Sequence, residues 1–350
     1  MKKLGIGIIG CGKVAGGHIR GWLQQGGRVR IAALCDLVPE FCEEQRTRFN
    51  LGKVPAFTDY RKLLAMRAVQ AVDICSQSDT HSEIIRASLE AGKHVLTEKP
   101  VGYDLEDCRL MRWYAKKYSH LKMAVAYSLR YYPVNLAARD LLARGVIGRP
   151  VYAQAVHNHP HDLAHVFDHP HGPHAESDKG GRYIHGSDLT SSTHVFDLCR
   201  SLLGEVKDLF AFREPYGTFV MMRFTSGALA QAISGTASKF GVAAPNVLTI
   251  QGTEGVLVTF NEPRKPGLAE PRYRGYYQNE SGYHEIEVTT HDTSHGDFTR
   301  CQNFLDAVFD DVPLIAPLED AIRTSELLHA IRDSHDHEIR VPVHWQTKTG

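Results

Sequence analysis

Between the short apolar run Ile6 to Ile9 and the helically spaced Ile19, Trp22 and Leu23 stands Gly10-Cys11-Gly12-Lys13-Val14-Ala15. Strand, tight turn and helix with G-x-G-x-x-A at the junction suit one piece of chemistry, the holding of a pyrophosphate. Gly10 permits the turn, Gly12 leaves room for phosphate to approach the backbone, and Ala15 lets the helix sit close to the strand. The helix N-terminus, reached through Lys13 and Val14, offers free N–H groups and a partial positive charge. A second apolar run, Val29 to Cys35, ends at Asp36. A carboxylate at that place can accept the hydroxyls of an adenosine ribose and repels a 2′-phosphate. Leu37 and Val38 follow it and supply no cation, so NAD is expected as cofactor and NADP disfavoured. An aspartate there can also simply cap the next helix, but strand, fingerprint and carboxylate together favour the ribose.

The elements that must position these residues repeat an alternation. Leu63 and Leu64 lie in a short helix and Ala71 to Cys75 reads as an apolar strand. Ser82 to Ala91 reads as a helix stopped by Gly92, and His94 to Thr97 as a strand. A helix over about residues 105–118 and a strand at Met123 to Ala126 complete the set. Alternating strands and helices imply a doubly wound parallel sheet, an α/β Rossmann domain, over residues 1–126. Ligands on such sheets sit beyond the strand carboxyl ends. That rule selects Ser76, Gln77 and His81 after one strand, and Glu98, Lys99 and Pro100 after another.

Composition narrows the classes. Forty Lys plus Arg against forty Asp plus Glu leaves no basic surplus for nucleic acid. No apolar run reaches the roughly 18 to 20 residues that span a bilayer, so no membrane partner is expected. Lys2-Lys3 before the apolar stretch to Cys11 mimics a short signal, but glycines interrupt it and a helical pattern follows directly; a buried first strand is expected. Seven scattered cysteines, never spaced Cys-x-x-Cys, suit small apolar roles in a reducing, cytoplasmic setting better than a disulfide scaffold or zinc site.

The chain resembles the glucose–fructose oxidoreductase, inositol dehydrogenase and MocA (Gfo/Idh/MocA) family. The matching segments are GIIGCGKVA, the strand ending at Asp36, Phe57-Thr58-Asp59-Tyr60, ICSQSDTH, LEAGKHVLTEKPVG, AYSLRYYP, RGVIGRPVYA and HVFDLCRSLLGEV. The resemblance implies a second, α+β domain over residues 127–350, built on a large open, mainly antiparallel sheet. Short apolar runs at residues 220–224, 229–233, 247–251 and 256–260, with helices over 298–309 and 318–331, fit it. It further implies a sugar, polyol or nucleotide-sugar substrate, nicotinamide lying between the sheet face and the first domain, and a homodimer or homotetramer packed through the second-domain sheet.

Hydride transfer from a carbinol needs a base for the hydroxyl proton, a cation for the developing alkoxide and close placement. Lys99 corresponds to the lysine of the family's EKP motif and is assigned the cation or proton relay; a surface lysine is the plain alternative. His194, at the family's H-x-x-D position with Asp197 one turn on, is assigned the general acid/base; a helix-face histidine satisfied by Asp197 is its alternative. Arg130, with Tyr127, follows the last strand and borders nicotinamide and substrate in related sequences, although a structural ion pair would equally occupy it.

Two features depart from the pattern. Thr190 stands where many family dehydrogenases carry Asp, and a threonine cannot serve as a carboxylate base. Seven histidines fall between His157 and His174, with Asp162, Asp168 and Glu176 nearby. Their spacing matches no rigid ligand set and prolines interrupt it, so a polar substrate loop is expected over a metal site. Three functions fit: an NAD(H)-dependent sugar or cyclitol oxidoreductase, an NAD-retaining glycosidase on the same scaffold, and a catalytically idle NAD-binding regulator.

Overall fold

The computed structural model describes residues 3–102, 104–159, 187–214, 217–236, 246–262, 272–286, 288 and 296–345. In chain order the first elements are β1 (Leu4–Ile9), α1 (Ala15–Leu23), β2 (Val29–Cys35), α2 (Pro39–Arg48), β3 (Ala56–Phe57), α3 (Tyr60–Leu64) and β4 (Ala71–Ile74). Then come α4 (His81–Glu90), β5 (His94–Thr97), α5 (Leu105–Lys117), β6 (Met123–Val125), α6 (Ser128–Tyr131) and α7 (Pro133–Ala143). They are followed by β7 (Pro150–His159), α8 (Ser187–Leu203), β8 (Val206–Glu214), β9 (Gly217–Phe224), β10 (Leu229–Thr236), β11 (Asn246–Gly252), β12 (Gly255–Glu262), β13 (Arg272–Asn279) and β14 (Gly282–Glu285). Helices α9 (Asp297–Asp310) and α10 (Leu318–His337) precede the short β15 (Val341–Pro342).

Two compact units result, one of Met1–Tyr131, Ser294–Ser325 and Gln346–Gly350, the other of Tyr132–Thr293 and Glu326–Trp345. The first holds a six-stranded parallel sheet ordered β3-β2-β1-β4-β5-β6, the doubly wound Rossmann order. The pleat sorts β1 by alternation: Leu4, Ile6 and Ile8 enter one core with Ile19, Trp22, Leu34 and Phe304, while Ile9 joins Ile74, Ile85, Val95 and Met111 in another.

A single boundary at 126/127 does not describe this division, because the segment carrying α9 returns to the first unit. The cause is packing. Phe304 meets Trp22 edge-on at 5.7 Å, and α9 comes so close to α1 that a Cβ on Gly21 would lie 2.7 Å from the Asp297 carbonyl oxygen. Arg112 on α5 pairs with Glu319 at 3.1 Å, which ties the start of α10 to the same unit.

The second unit carries a nine-stranded sheet ordered β14-β13-β12-β11-β7-β10-β9-β8-β15. Only β7 and β10 run parallel; the other pairs are antiparallel. On one face Ala153, Ala155, Val220, Met222, Ala230 and Ala232 are buried, and α8 packs against these three strands. Tyr152, Phe219, Met221 and Leu229, from the same three strands, are exposed. All seven cysteines are free thiols and all but Cys75 are buried. Among the described residues no helix is long and apolar enough to cross a membrane.

Candidate active site

The first unit builds its site at the carboxyl ends of β1, β2, β4 and β5. Gly10 turns the chain with φ +87°, and a Cβ there would lie 2.5 Å from the carbonyl carbon of Cys75 and the nitrogen of Ser76. Its N–H donates to the Cys35 carbonyl at 2.8 Å, joining the glycine turn to the end of β2. Around Gly12 the situation is reversed: a Cβ would meet nothing within 4 Å. Gln45 of α2 donates to the carbonyls of Cys11 and Gly12 at 2.9 and 3.3 Å and so holds the loop from behind. Lys13 and Val14 are exposed. Helix α1 starts with no side-chain cap and no acidic residue in its first turn, although the Gly16 and Gly17 N–H groups already donate to the Lys13 and Val14 carbonyls at 3.4 and 3.1 Å.

Asp36 binds this loop directly. Its Oδ2 accepts the Cys11 N–H at 2.7 Å and its Oδ1 the Val38 N–H at 2.9 Å. Each oxygen keeps a lone pair for a ribose hydroxyl, while Leu37, 86 % exposed, offers nothing to a phosphate. Open space at Gly12, an uncapped helix start and an anchored carboxylate fit the adenosine and pyrophosphate of NAD.

The two following turns are built from their own side chains. Ser76 Oγ bonds Thr80 Oγ1 at 2.7 Å, and Thr80 Oγ1 donates to the Gln77 carbonyl at 2.7 Å. Gln77 is exposed. His81, expected at the cofactor, is instead buried between the turns, its ring nitrogens 2.9 Å from the Pro100 carbonyl and 3.0 Å from that of Ser76. Burial outweighs these carbonyls and holds its pKa below the ordinary value. It fastens the β4 turn to the β5 turn.

Glu98 also faces inward. Its Oε1 lies 3.0 Å from His18 Nε2 and its Oε2 accepts the Lys99 N–H at 3.1 Å. Burial alone would raise its pKa, but the hydrogen bond and charge of His18, then Lys99 and Arg300, hold it well below the usual carboxylate range. Lys99 is half-buried at the strand end. Burial lowers its pKa and the Glu98 carboxylate opposes that shift. A lysine brought down from its ordinary value is the kind that can relay a proton.

His18 was not among the expected site residues. It lies on the buried face of α1 with Nδ1 2.9 Å from both Asp73 oxygens. Trp22 Nε1 donates to Asp73 at 2.6 Å. Burial and the Arg300 charge act to lower the His18 pKa, yet Asp73 prevails and raises it well above the ordinary value. His18, Asp73 and Cys75 are the one group among the described residues whose ligating atoms come within 4.8 Å of one another. A cation fits it poorly, because both imidazole nitrogens face carboxylates, Trp22 occupies Asp73 and Arg300 adds positive charge. The sequence held a signal for it: an aspartate inside the buried strand AVDI must find a partner.

Arg130 is buried, with Nη1 2.6 Å from Asp320 Oδ2 and donating to the Ile315 carbonyl at 3.1 Å. These contacts are those of a structural ion pair that holds the start of α10.

In the second unit His194 sits half-buried on α8, one turn before the fully buried Asp197. Its ring centroid lies 5.8 Å from that of His157 on β7, with the rings near perpendicular. Of the seven clustered histidines, His161, His165, His169, His171 and His174 lie outside the described residues, as do Asp162, Asp168 and Glu176. The side chains of His159 and Thr190 lie outside them too.

Residues 4–127 match the model of the oxidoreductase family with NAD-binding Rossmann fold, and residues 135–258 the GFO/IDH/MocA C-terminal domain. A 1,5-anhydro-D-fructose reductase of Ensifer adhaerens is 28% identical over 265 residues, 73% of this chain and 75% of that protein. An inositol 2-dehydrogenase/D-chiro-inositol 3-dehydrogenase of Lactiplantibacillus plantarum is 27% identical over 152 residues, and the match spans only 43% of each chain. Levoglucosan dehydrogenase in complex with NADH superimposes with a TM-score of 0.82 at 19% identity, over 99% of this chain and 100% of that one. The scyllo-inositol dehydrogenase of Lactobacillus casei, with NAD(H) and scyllo-inositol, gives 0.77 at 21% identity over 98% and 99%. These last two are likenesses of fold. With both halves matched by its family models, the chain belongs to the Gfo/Idh/MocA family of oxidoreductases, and its first unit is an NAD-binding Rossmann domain.

Proposed function

We propose that the protein is an NAD(H)-preferring dehydrogenase or reductase acting at a hydroxyl- or keto-bearing carbon of a sugar, cyclitol or sugar derivative. The observation that carries this reading is the cofactor turn: open space at Gly12 beside a carboxylate, Asp36, tied to the same loop. The names of the relatives, reductases and dehydrogenases of anhydro-sugars and inositols, support the substrate class. NAD supplies the hydride acceptor when bound. Gly12, Lys13, Val14 and the start of α1 hold its pyrophosphate, Asp36 its ribose, and Ser76 and Gln77 line its path. Lys99 steadies the substrate oxygen with its charge, and His194 exchanges the hydroxyl proton. The exposed apolar side chains Tyr152, Phe219, Met221 and Leu229 support assembly into a homodimer or homotetramer through the second-unit sheet.

Thr190, in the place of the family's aspartate, supports a second reading, an NAD-retaining glycosidase. One experiment separates the two. Wild-type protein is incubated with NAD⁺ and myo-inositol or levoglucosan, with NADH and 1,5-anhydro-D-fructose, and with aryl glycosides. A net change in NADH supports the dehydrogenase; release of aglycone without net NADH supports the glycosidase. If neither occurs across a broad sugar panel while NADH still binds, the catalytic reading fails and an idle NAD-binding protein remains.

A further inference from the structure

One buried ionic network in the first unit has no part in the roles just assigned, and it leads directly to one of them. His18 is 2 % exposed and offers both ring nitrogens to carboxylates, Asp73 on β4 and Glu98 at the end of β5. A ring between two carboxylates must carry both protons, so His18 is an imidazolium. Asp73 is held in turn by the Trp22 indole and by the Cys75 thiol at 3.7 Å. Arg300, itself paired with Asp297 at 2.9 Å, adds a second cation to the cluster. Glu98 closes the chain, one oxygen on His18 and the other on the Lys99 N–H.

A buried ion pair is an expensive way to achieve stability alone, since desolvation cancels most of the attraction and apolar packing does as well. What this one provides is direction. Glu98 adjoins a half-buried lysine, and a free carboxylate there would turn to the ammonium and neutralise it. Both of its oxygens are engaged elsewhere.

We propose that His18 is a positioning residue for Lys99: by clamping Glu98 against β4 and α1 it fixes the Lys99 backbone and keeps the Glu98 carboxylate from pairing fully with the Lys99 ammonium. The proposal rests on the assignment of Lys99 to the reaction. It makes opposite demands on two variants. In His18→Gln the released Glu98 turns to Lys99, stabilises the charged amine and raises its titration midpoint. In Glu98→Gln the carboxylate that raises the Lys99 midpoint is gone and the midpoint falls. The charged and titratable groups of the cluster are His18, Asp73, Glu98, Lys99, Asp297 and Arg300, with the thiols of Cys75 and Cys301.

The test is competitive labelling of the full chain with trace acetic anhydride from pH 6 to 10, with modification of Lys99 read by mass spectrometry. It needs no substrate. Relative to wild type, Lys99 labelling at pH 8 is expected to slow about tenfold in His18→Gln, one unit of upward shift, and to accelerate in Glu98→Gln. Thermal melting and NADH titration report whether each variant is folded. If His18→Gln does not fold, His18→Asn takes its place in the same labelling, with the same upward shift expected. Shifts of the same sign in both variants, or no shift in the folded ones, overturn the clamp. With a substrate in hand, His18→Gln should lower kcat at least tenfold with KM changed less than threefold. Lys99→Met then separates the two claims: full turnover in that variant refutes the assignment of Lys99, whereas the labelling shifts refute or sustain the clamp itself.

Discussion

Gly12 and Gly10 stand two residues apart in one loop, and the structure predicts opposite fates for them on substitution by alanine. A Cβ on Gly12 meets nothing within 4 Å, and its φ lies outside the left-handed range. Gly12→Ala should therefore leave the fold intact and add about 0.4–1 kcal/mol by restricting the unfolded chain. The methyl group matters only if a ligand must approach that backbone. Loss of one charge-assisted hydrogen bond to a phosphate, about 1.5–3 kcal/mol, would weaken NADH binding roughly 10- to 150-fold. Melting with and without cofactor reads both quantities. At NADH a hundredfold above the wild-type Kd, wild type gains about 2.7 kcal/mol, and a variant bound a hundredfold more weakly gains about 0.4 kcal/mol. Gly10→Ala should do the reverse, losing stability without ligand, because its φ is +87° and its Cβ would strike the Cys75–Ser76 backbone at 2.5 Å. A Gly12→Ala protein that binds NADH within twofold of wild type, or melts below it without cofactor, would refute the placement of pyrophosphate at this turn.

Four further outcomes are expected. Asp36→Ala should weaken NADH binding and narrow the preference over NADPH, and should also cost about 1–3 kcal/mol of stability in urea titration because the Cys11 N–H loses its acceptor; a wild type that prefers NADPH contradicts the ribose assignment. Lys99→Met and His194→Asn should each lower turnover by about 10²- to 10⁴-fold with NADH affinity nearly unchanged; near-wild-type turnover in either variant removes that residue from the proposed reaction. Urea unfolding across pH should show the His18–Glu98 pair. Glu98, depressed, stabilises above its ordinary 4.5 and loses that as pH falls, while His18, raised, stabilises fully below its ordinary 6.5 and loses that as pH rises toward its folded value. Their joint contribution is complete between about pH 4.5 and 6.5, and His18→Gln should flatten the decline above pH 6.5; an unaltered decline removes His18 as its source. Phe219→Glu with Met221→Glu should shift the proposed homo-oligomer to monomer in size-exclusion chromatography, and an unchanged oligomer would place any interface elsewhere.

The first unit was legible where one physical rule decides the outcome. Fully buried parallel strands must be short apolar runs, and β2 and β5 fall on Val29–Cys35 and His94–Thr97 as the runs mark them. Gly10 and Asp36 were legible because a tight turn and a strand-end carboxylate each need one residue type. The return of α9 to the first unit was not. An apolar stripe on residues 298–309 announces a buried face but does not say which core receives it, and Trp22 and Gly21, which receive it here, lie far off in sequence.

Site roles were harder for a related reason: a strand-end motif fixes where a residue stands, and the side chain can still leave the backbone toward the ligand or back toward the protein. Glu98 shows the second course, its carboxylate engaged by His18 and by the Lys99 N–H. His81 does the same, its ring lying between the carbonyls of Ser76 and Pro100. Partner supply decides the direction. A buried polar group takes whatever donor or acceptor the packed elements already offer, and His18 and the carbonyls of Ser76 and Pro100 are such offers. The space beside Gly12, where a Cβ would meet nothing within 4 Å, is filled by no such partner, and it says more about function than any single hydrogen bond in the unit.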